Sequence, residues 1–117
     1  TETSAAEPDF ALVRGKRGSF SDRHPQGGEA GLVIEVADSS LAIDRRKADL
    51  YAAAGVPEYW IVNLQYRCIE VYGAPSPRAG GTVGYAPSRT MQGQDSLNLV
   101  LDDEVVGHIR CRDVLGE

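Results

Sequence analysis

Leu32-Val33-Ile34-Glu35-Val36-Ala37 is a nearly continuous apolar run interrupted by one carboxylate. Continuous rather than alternating apolarity marks a strand covered on both faces, as at the centre of an α/β sheet. The next residues supply a covering layer. Asp38-Ser39-Ser40 is turn and cap chemistry, and a helix is expected from about Asp44 to Ala54, stopped by Gly55 and Pro57. Asp44, Lys47, Tyr51 and Ala54 fall at i, i+3, i+7 and i+10, so they share one helical face. Leu50 and the alanines at 48, 52 and 53 are expected to pack against the sheet.

Elsewhere the pattern is mostly strand. Residues 9–13 read as a buried strand, followed by a long polar loop from Gly15 to Gly31. Tyr59-Trp60-Ile61-Val62 and Cys68-Ile69-Glu70-Val71-Tyr72 read as a hairpin joined by residues 63–67. Gly73 to Gly84 is a Pro/Gly-rich loop. Weaker strands are expected near Tyr85–Met91 and Leu97–Leu101, then one more strand or a terminal turn within Val105 to Leu115. The order strand, strand, helix, strand, strand predicts an α/β fold with a mixed sheet and a helix packed on it.

At 117 residues, with 42% apolar and 25% charged, the chain is expected to form one domain with one core. No apolar run approaches the roughly 20 residues of a membrane-spanning helix, and the polar start is unlike a signal peptide. Cys68 and Cys111 form no metal-type pair, and Cys68, in an expected strand, reads as a reduced, buried thiol of a cytoplasmic protein. A net charge of −5 argues against a general nucleic-acid-binding surface. Local basic clusters do occur: Arg14, Lys16, Arg17 and Arg23 after the first strand, and Arg45, Arg46 and Lys47 at the helix.

A carboxylate inside an apolar strand calls for a reason, because burying an unpaired charge is costly. Glu35 reads as a metal ligand, a salt-bridge partner or a strand-end residue reaching solvent. Asp9, Glu35 and Lys47 lie on successive elements, and if the strands are adjacent they converge at one sheet edge. Two carboxylates and a lysine are the minimum kit of a divalent-metal phosphodiesterase, with the carboxylates holding Mg²⁺ and the lysine acting on water or phosphate. His24 and His108 read as surface or packing residues, Ser39 and Ser40 as caps, and Tyr59 and Trp60 as core anchors.

Glu7-Pro8-Asp9, Val33-Ile34-Glu35-Val36, Asp44-x-x-Lys47-x-x-x-Tyr51 and Ala54-Gly55-Val56-Pro57-Glu58-Tyr59-Trp60-Ile61-Val62-Asn63 resemble the Uma-two restriction endonuclease family of the PD-(D/E)XK nuclease superfamily. The resemblance implies a restriction-endonuclease-like fold and a Mg²⁺-dependent site acting on DNA. It assigns Asp9 and Glu35 as metal ligands and Asp9, Glu35 and Lys47 as the catalytic set. Position 37, lysine in the plain superfamily pattern, is Ala37, so the lysine role passes to Lys47 on the helix. The resemblance also implies an upstream acidic helix, so residues 1–117 are expected to be an N-terminally shortened domain. A homodimer or larger even-numbered oligomer is expected from the aromatic strands (Tyr59, Trp60, Tyr66, Tyr72) and an open sheet edge. The competing expectation is a non-catalytic interaction module on the same fold, supported by the negative charge. A hydrolase of small phosphoesters is a third.

Overall fold

The computed structural model describes residues 9–13, 30–101 and 104–116. In chain order these form β1 (Phe10–Val13), β2 (Ala30–Ala37), α1 (Leu41–Ala53), β3 (Glu58–Asn63), β4 (Cys68–Gly73), β5 (Ser76–Pro77), β6 (Val83–Gly84), β7 (Arg89–Met91), β8 (Ser96–Leu101), β9 (Glu104–Arg110) and α2 (Cys111–Leu115). Strands β1-β2-β3-β4-β7 make a five-stranded mixed sheet. The β2–β3 pair is parallel, with α1 as its connection, and the other pairs are antiparallel. This is the α/β sheet-and-helix arrangement of restriction-endonuclease-like domains.

The apolar run of β2 is covered on the α1 side along its length and on the other side at Leu32, whereas Ile34 is only partly buried and Val36 is 37% exposed. Val33 and Ala37 join Tyr59, Ile61 and the α1 residues Ala48, Tyr51 and Ala52 in one cluster. Leu32 joins Trp60, Val62, Ile69 and Val71 on the opposite face, closed by Leu97, Cys111 and Leu115 from β8 and α2. Tyr59 and Trp60 are buried core anchors, and Cys68 is a buried free thiol. Alanines at 48 and 52, one turn apart, let α1 lie close against the sheet.

Helix α1 begins at Leu41, three residues before the expected start, and Ser40 occupies its N-cap position. The Ser40 hydroxyl bonds the Asp44 carboxylate at 2.8 Å instead of a backbone N–H. The helix ends as expected: Gly55 adopts φ +86°, its N–H reaches Ala52 O, and the Val56 N–H reaches Tyr51 O. This is a Schellman closure, which favours glycine at the left-handed position. Leu50 does not pack against the sheet and is 57% exposed; Ala53 is exposed too. Residues 73–84 contain the small β5–β6 ribbon, and residues 85–88 are not strand. Segment 105–115 holds both a strand and a helical turn. Arg14, Lys16, Arg17, Arg23, His24 and the rest of residues 14–29, where a long loop is expected, lie outside the described residues. No helix among the described residues is long and apolar enough to cross a membrane.

Candidate active site

The register places the carboxylates. Phe10 pairs with Ile34 in the antiparallel β1–β2 ladder, so Asp9 falls opposite Glu35. The Asp9 N–H donates to Glu35 Oε1 at 3.2 Å, and the Val36 N–H donates to Asp9 Oδ2 at 2.7 Å. Each carboxylate thereby accepts a backbone N–H from the other strand. Glu35 is 3% exposed, on the face that α1 covers.

Helix α1 brings the cation. Lys47 Nζ lies 3.2 Å from Glu35 Oε2 and 3.5 Å from Asp44 Oδ1. One turn further on, the Tyr51 hydroxyl donates to the same Glu35 Oε2 at 3.0 Å. Tyr59 ties its hydroxyl to the Asp44 carbonyl at 2.7 Å, fixing the first turn of the helix over β3. Burial works against the Lys47 ammonium, but its hydrogen bond to Glu35 and the charges of Glu35 and Asp44 raise its pKa above the ordinary lysine value. Burial first, and then Glu35, pushes the Tyr51 hydroxyl well above the usual tyrosine range, so it stays a donor. Asp9, Glu35 and Lys47 are therefore brought together, with Asp44 and Tyr51 completing the network.

These groups suit a hard cation. Asp9 Oδ1 has no partner among the described residues, and Glu35 keeps acceptor capacity beyond its three donors. Mg²⁺ needs only one or two protein carboxylates, the rest being water and phosphate oxygen. No cluster of three or more metal-ligating side chains occurs among the described residues, so this pair would carry the protein's share.

A second buried carboxylate lies in the same sheet row. Glu35 pairs with Ile61, which pairs with Glu70, and all three face α1. Arg45 clamps Glu70 through Nε at 3.1 Å and Nη2 at 2.6 Å, while the Tyr72 hydroxyl and Asn63 Nδ2 donate at 2.8 and 3.3 Å. Ile69-Glu70-Val71 carries the same signature as Ile34-Glu35-Val36, a carboxylate between β-branched neighbours, and that signal could have singled it out. Its four donors, two of them from the arginine clamp, identify it as an anchor between α1 and β4.

Burial opposes ionisation of Glu70, but the bonds from Arg45, Tyr72 and Asn63 outweigh it and hold its pKa below the usual glutamate value. A depressed carboxyl contributes stability that is present above its unfolded pKa of about 4.3 and is lost as pH falls through the lower folded value. Urea unfolding should therefore show stability declining below about pH 4.3. Glu70→Gln should be less stable at neutral pH and show a shallower acid decline. Parallel acid profiles for the two proteins would contradict this.

The mixed sheet and its covering helix, with Asp9 just before β1 facing Glu35 on β2 and Lys47 presented from α1, have the arrangement of the restriction-endonuclease-like class. The family model for Uma2, described as a putative restriction endonuclease, matches residues 1–105, and the chain belongs to that family. No curated relative matches the chain.

Proposed function

We propose that the protein is a Mg²⁺-dependent endonuclease hydrolysing phosphodiester bonds of DNA, with Asp9 and Glu35 as metal ligands. The carrying observation is the buried Glu35, which meets Asp9 across the strand pair and Lys47 from α1. A bound cation would supply charge against phosphate and a polarised water. Lys47, its side chain 29% exposed, keeps its ammonium at the solvent edge while Glu35 and Asp44 hold it. From there it offsets negative charge developing on a substrate phosphate. Tyr51 holds the Glu35 carboxylate in place from the other side.

Calorimetric titration with Mg²⁺ or Mn²⁺ tests the metal assignment. Saturable binding by the wild type, lost in Glu35→Ala, is the expected result. Equal weak binding by both would sink it and leave the non-catalytic interaction module, the reading that the net charge of −5 favours.

Self-association belongs to the same proposal. Tyr59 and Trp60 lie inside the core, so they offer no surface, whereas Phe10 on β1, an edge strand among the described residues, is 61% exposed. An apolar edge strand is a site for pairing with a second copy. Sedimentation at micromolar concentration should give twice the 12.6 kDa chain mass or a higher even multiple; one chain mass would defeat it.

A further inference from the structure

Across α1 from the carboxylate pair, a cleft of ≈ 460 Å³ opens between the helix, the end of β4 and the β5–β6 ribbon. That volume falls within the range of small-molecule sites. Two guanidinium groups reach it, Arg45 from α1 and Arg78 from the ribbon, beside Tyr72 and Tyr85. Asp9, Glu35 and Lys47 are not part of its lining. Glu35 and Glu70 stand two strands apart, about 10 Å by strand spacing, so the cleft and the carboxylate pair flank the same helix.

Both arginines are pre-set. Glu70 holds Arg45 flat through Nε and Nη2, leaving Nη1 without a partner among the described residues. Arg78 donates Nη1 to Asp49 at 3.1 Å and Nη2 to the Tyr85 carbonyl at 3.2 Å. Its guanidinium lies directly over Gly84, where an added Cβ would stand 1.9 Å from Arg78 Cζ. Glycine at 84 is what lets the guanidinium lie there, since an added methyl would push it aside.

The Arg78–Asp49 pair is exposed on both sides, 47% and 65%, and such pairs contribute only about 0–1 kcal/mol. A phosphate matches the guanidinium fork and carries more charge, so it can displace Asp49. The Tyr72 and Tyr85 rings stand 6.2 Å apart at the cleft. Tyr72 is half-buried, its hydroxyl held by Glu70 and pushed up to about 12 by burial and that bond. A fixed ring beside a fixed guanidinium plane is a surface on which a nucleobase stacks.

We propose that this cleft binds a phosphorylated nucleoside, its phosphate on Arg78 and Arg45 and its base against Tyr72, whether free or as one unit of a DNA strand. The full chain in EDTA, titrated with thymidine 5′-monophosphate and followed by ¹H–¹⁵N NMR, tests it. Shifts should concentrate at the Arg45 and Arg78 side chains and at the amides of Ala86 and Ser88. Arg78→Gln should weaken binding about tenfold, the scale of one charged hydrogen bond. Gly84→Ala keeps every charge but pushes the guanidinium aside, and should weaken binding comparably. Glu35→Gln should bind the nucleotide as the wild type does, so failure of the metal reading and failure of this one remain separable. A short single-stranded oligonucleotide binding more tightly than the mononucleotide at the same residues assigns the cleft to a strand; the reverse assigns it to free nucleotide. Inorganic phosphate binding as tightly as the nucleotide, absence of cleft shifts, or unchanged affinity in both Arg78→Gln and Gly84→Ala would overturn the proposal.

Discussion

Replacing Trp60 with alanine will destabilise the protein by about 3–5 kcal/mol, the cost of emptying a large aromatic site in a core that cannot collapse around it. Trp60 is 1% exposed and central to the sheet face opposite α1, among Leu32, Val62, Ile69 and Val71. Those neighbours sit on three adjacent strands whose ladders fix their spacing, so relaxation into the void is limited. The indole N–H also donates to Glu58 Oε1 at 2.6 Å, and that carboxylate would lose its partner. Against a typical total of about 5–15 kcal/mol, the loss is a large fraction of the whole. Equilibrium urea unfolding would measure it, with Trp60→Phe giving a smaller loss. A cost below about 1 kcal/mol would mean that this layer adds little to the fold.

The second large effect concerns cleavage. If the protein is the metal-dependent endonuclease proposed above, Lys47→Met will reduce DNA cleavage by about 10²–10³-fold, the scale seen when one preorganised charge-stabilising donor is removed. Methionine keeps much of the aliphatic stem while removing the ammonium. Glu35 retains the Asp9 N–H and the Tyr51 hydroxyl, so metal binding should persist. Single-turnover cleavage of duplex DNA in Mn²⁺, alongside calorimetry, separates the two effects. Loss of metal binding in Lys47→Met would reassign Lys47 to assembling the carboxylate site. Full cleavage activity would remove it from the catalytic set. Arg45→Met instead breaks the Glu70 clamp on the other flank of the helix. It should cost about 1–3 kcal/mol of stability, below the fully buried value because Arg45 is half exposed.

Much of the fold was legible locally. An unbroken apolar run, cap residues, a glycine stop and a turn between two apolar strands each report on a few neighbouring residues, and neighbours are what a sequence displays. The hairpin 59–72 and the end of β2 at Ala37 follow from such signals, whereas β2 starts at Ala30, two residues inside the expected loop. The misread positions depended on distant partners. Leu50 has an apolar side chain on a helix, yet Ala48, Tyr51 and Ala52 meet the sheet, and Leu50 projects to solvent. The β5–β6 ribbon is built on two residue pairs, too short for periodicity to register.

The site divides along the same line. The sequence alone determined that Glu35 and Lys47 are carried on a strand and a helix, with Asp9 at the start of a second strand, and that an acid in an apolar strand must find a partner. Only the tertiary structure decided which partner each acid found. Lys47 and Arg45 are two residues apart on α1, so a helix of 3.6 residues per turn sends them to opposite flanks. One flank lies over Glu35 and the other over Glu70. The same local signature thus became a lysine-lined carboxylate beside Asp9 in one place and an arginine-clamped anchor in the other. That choice rests on strand register and helix rotation, which depend on packing across the whole sheet.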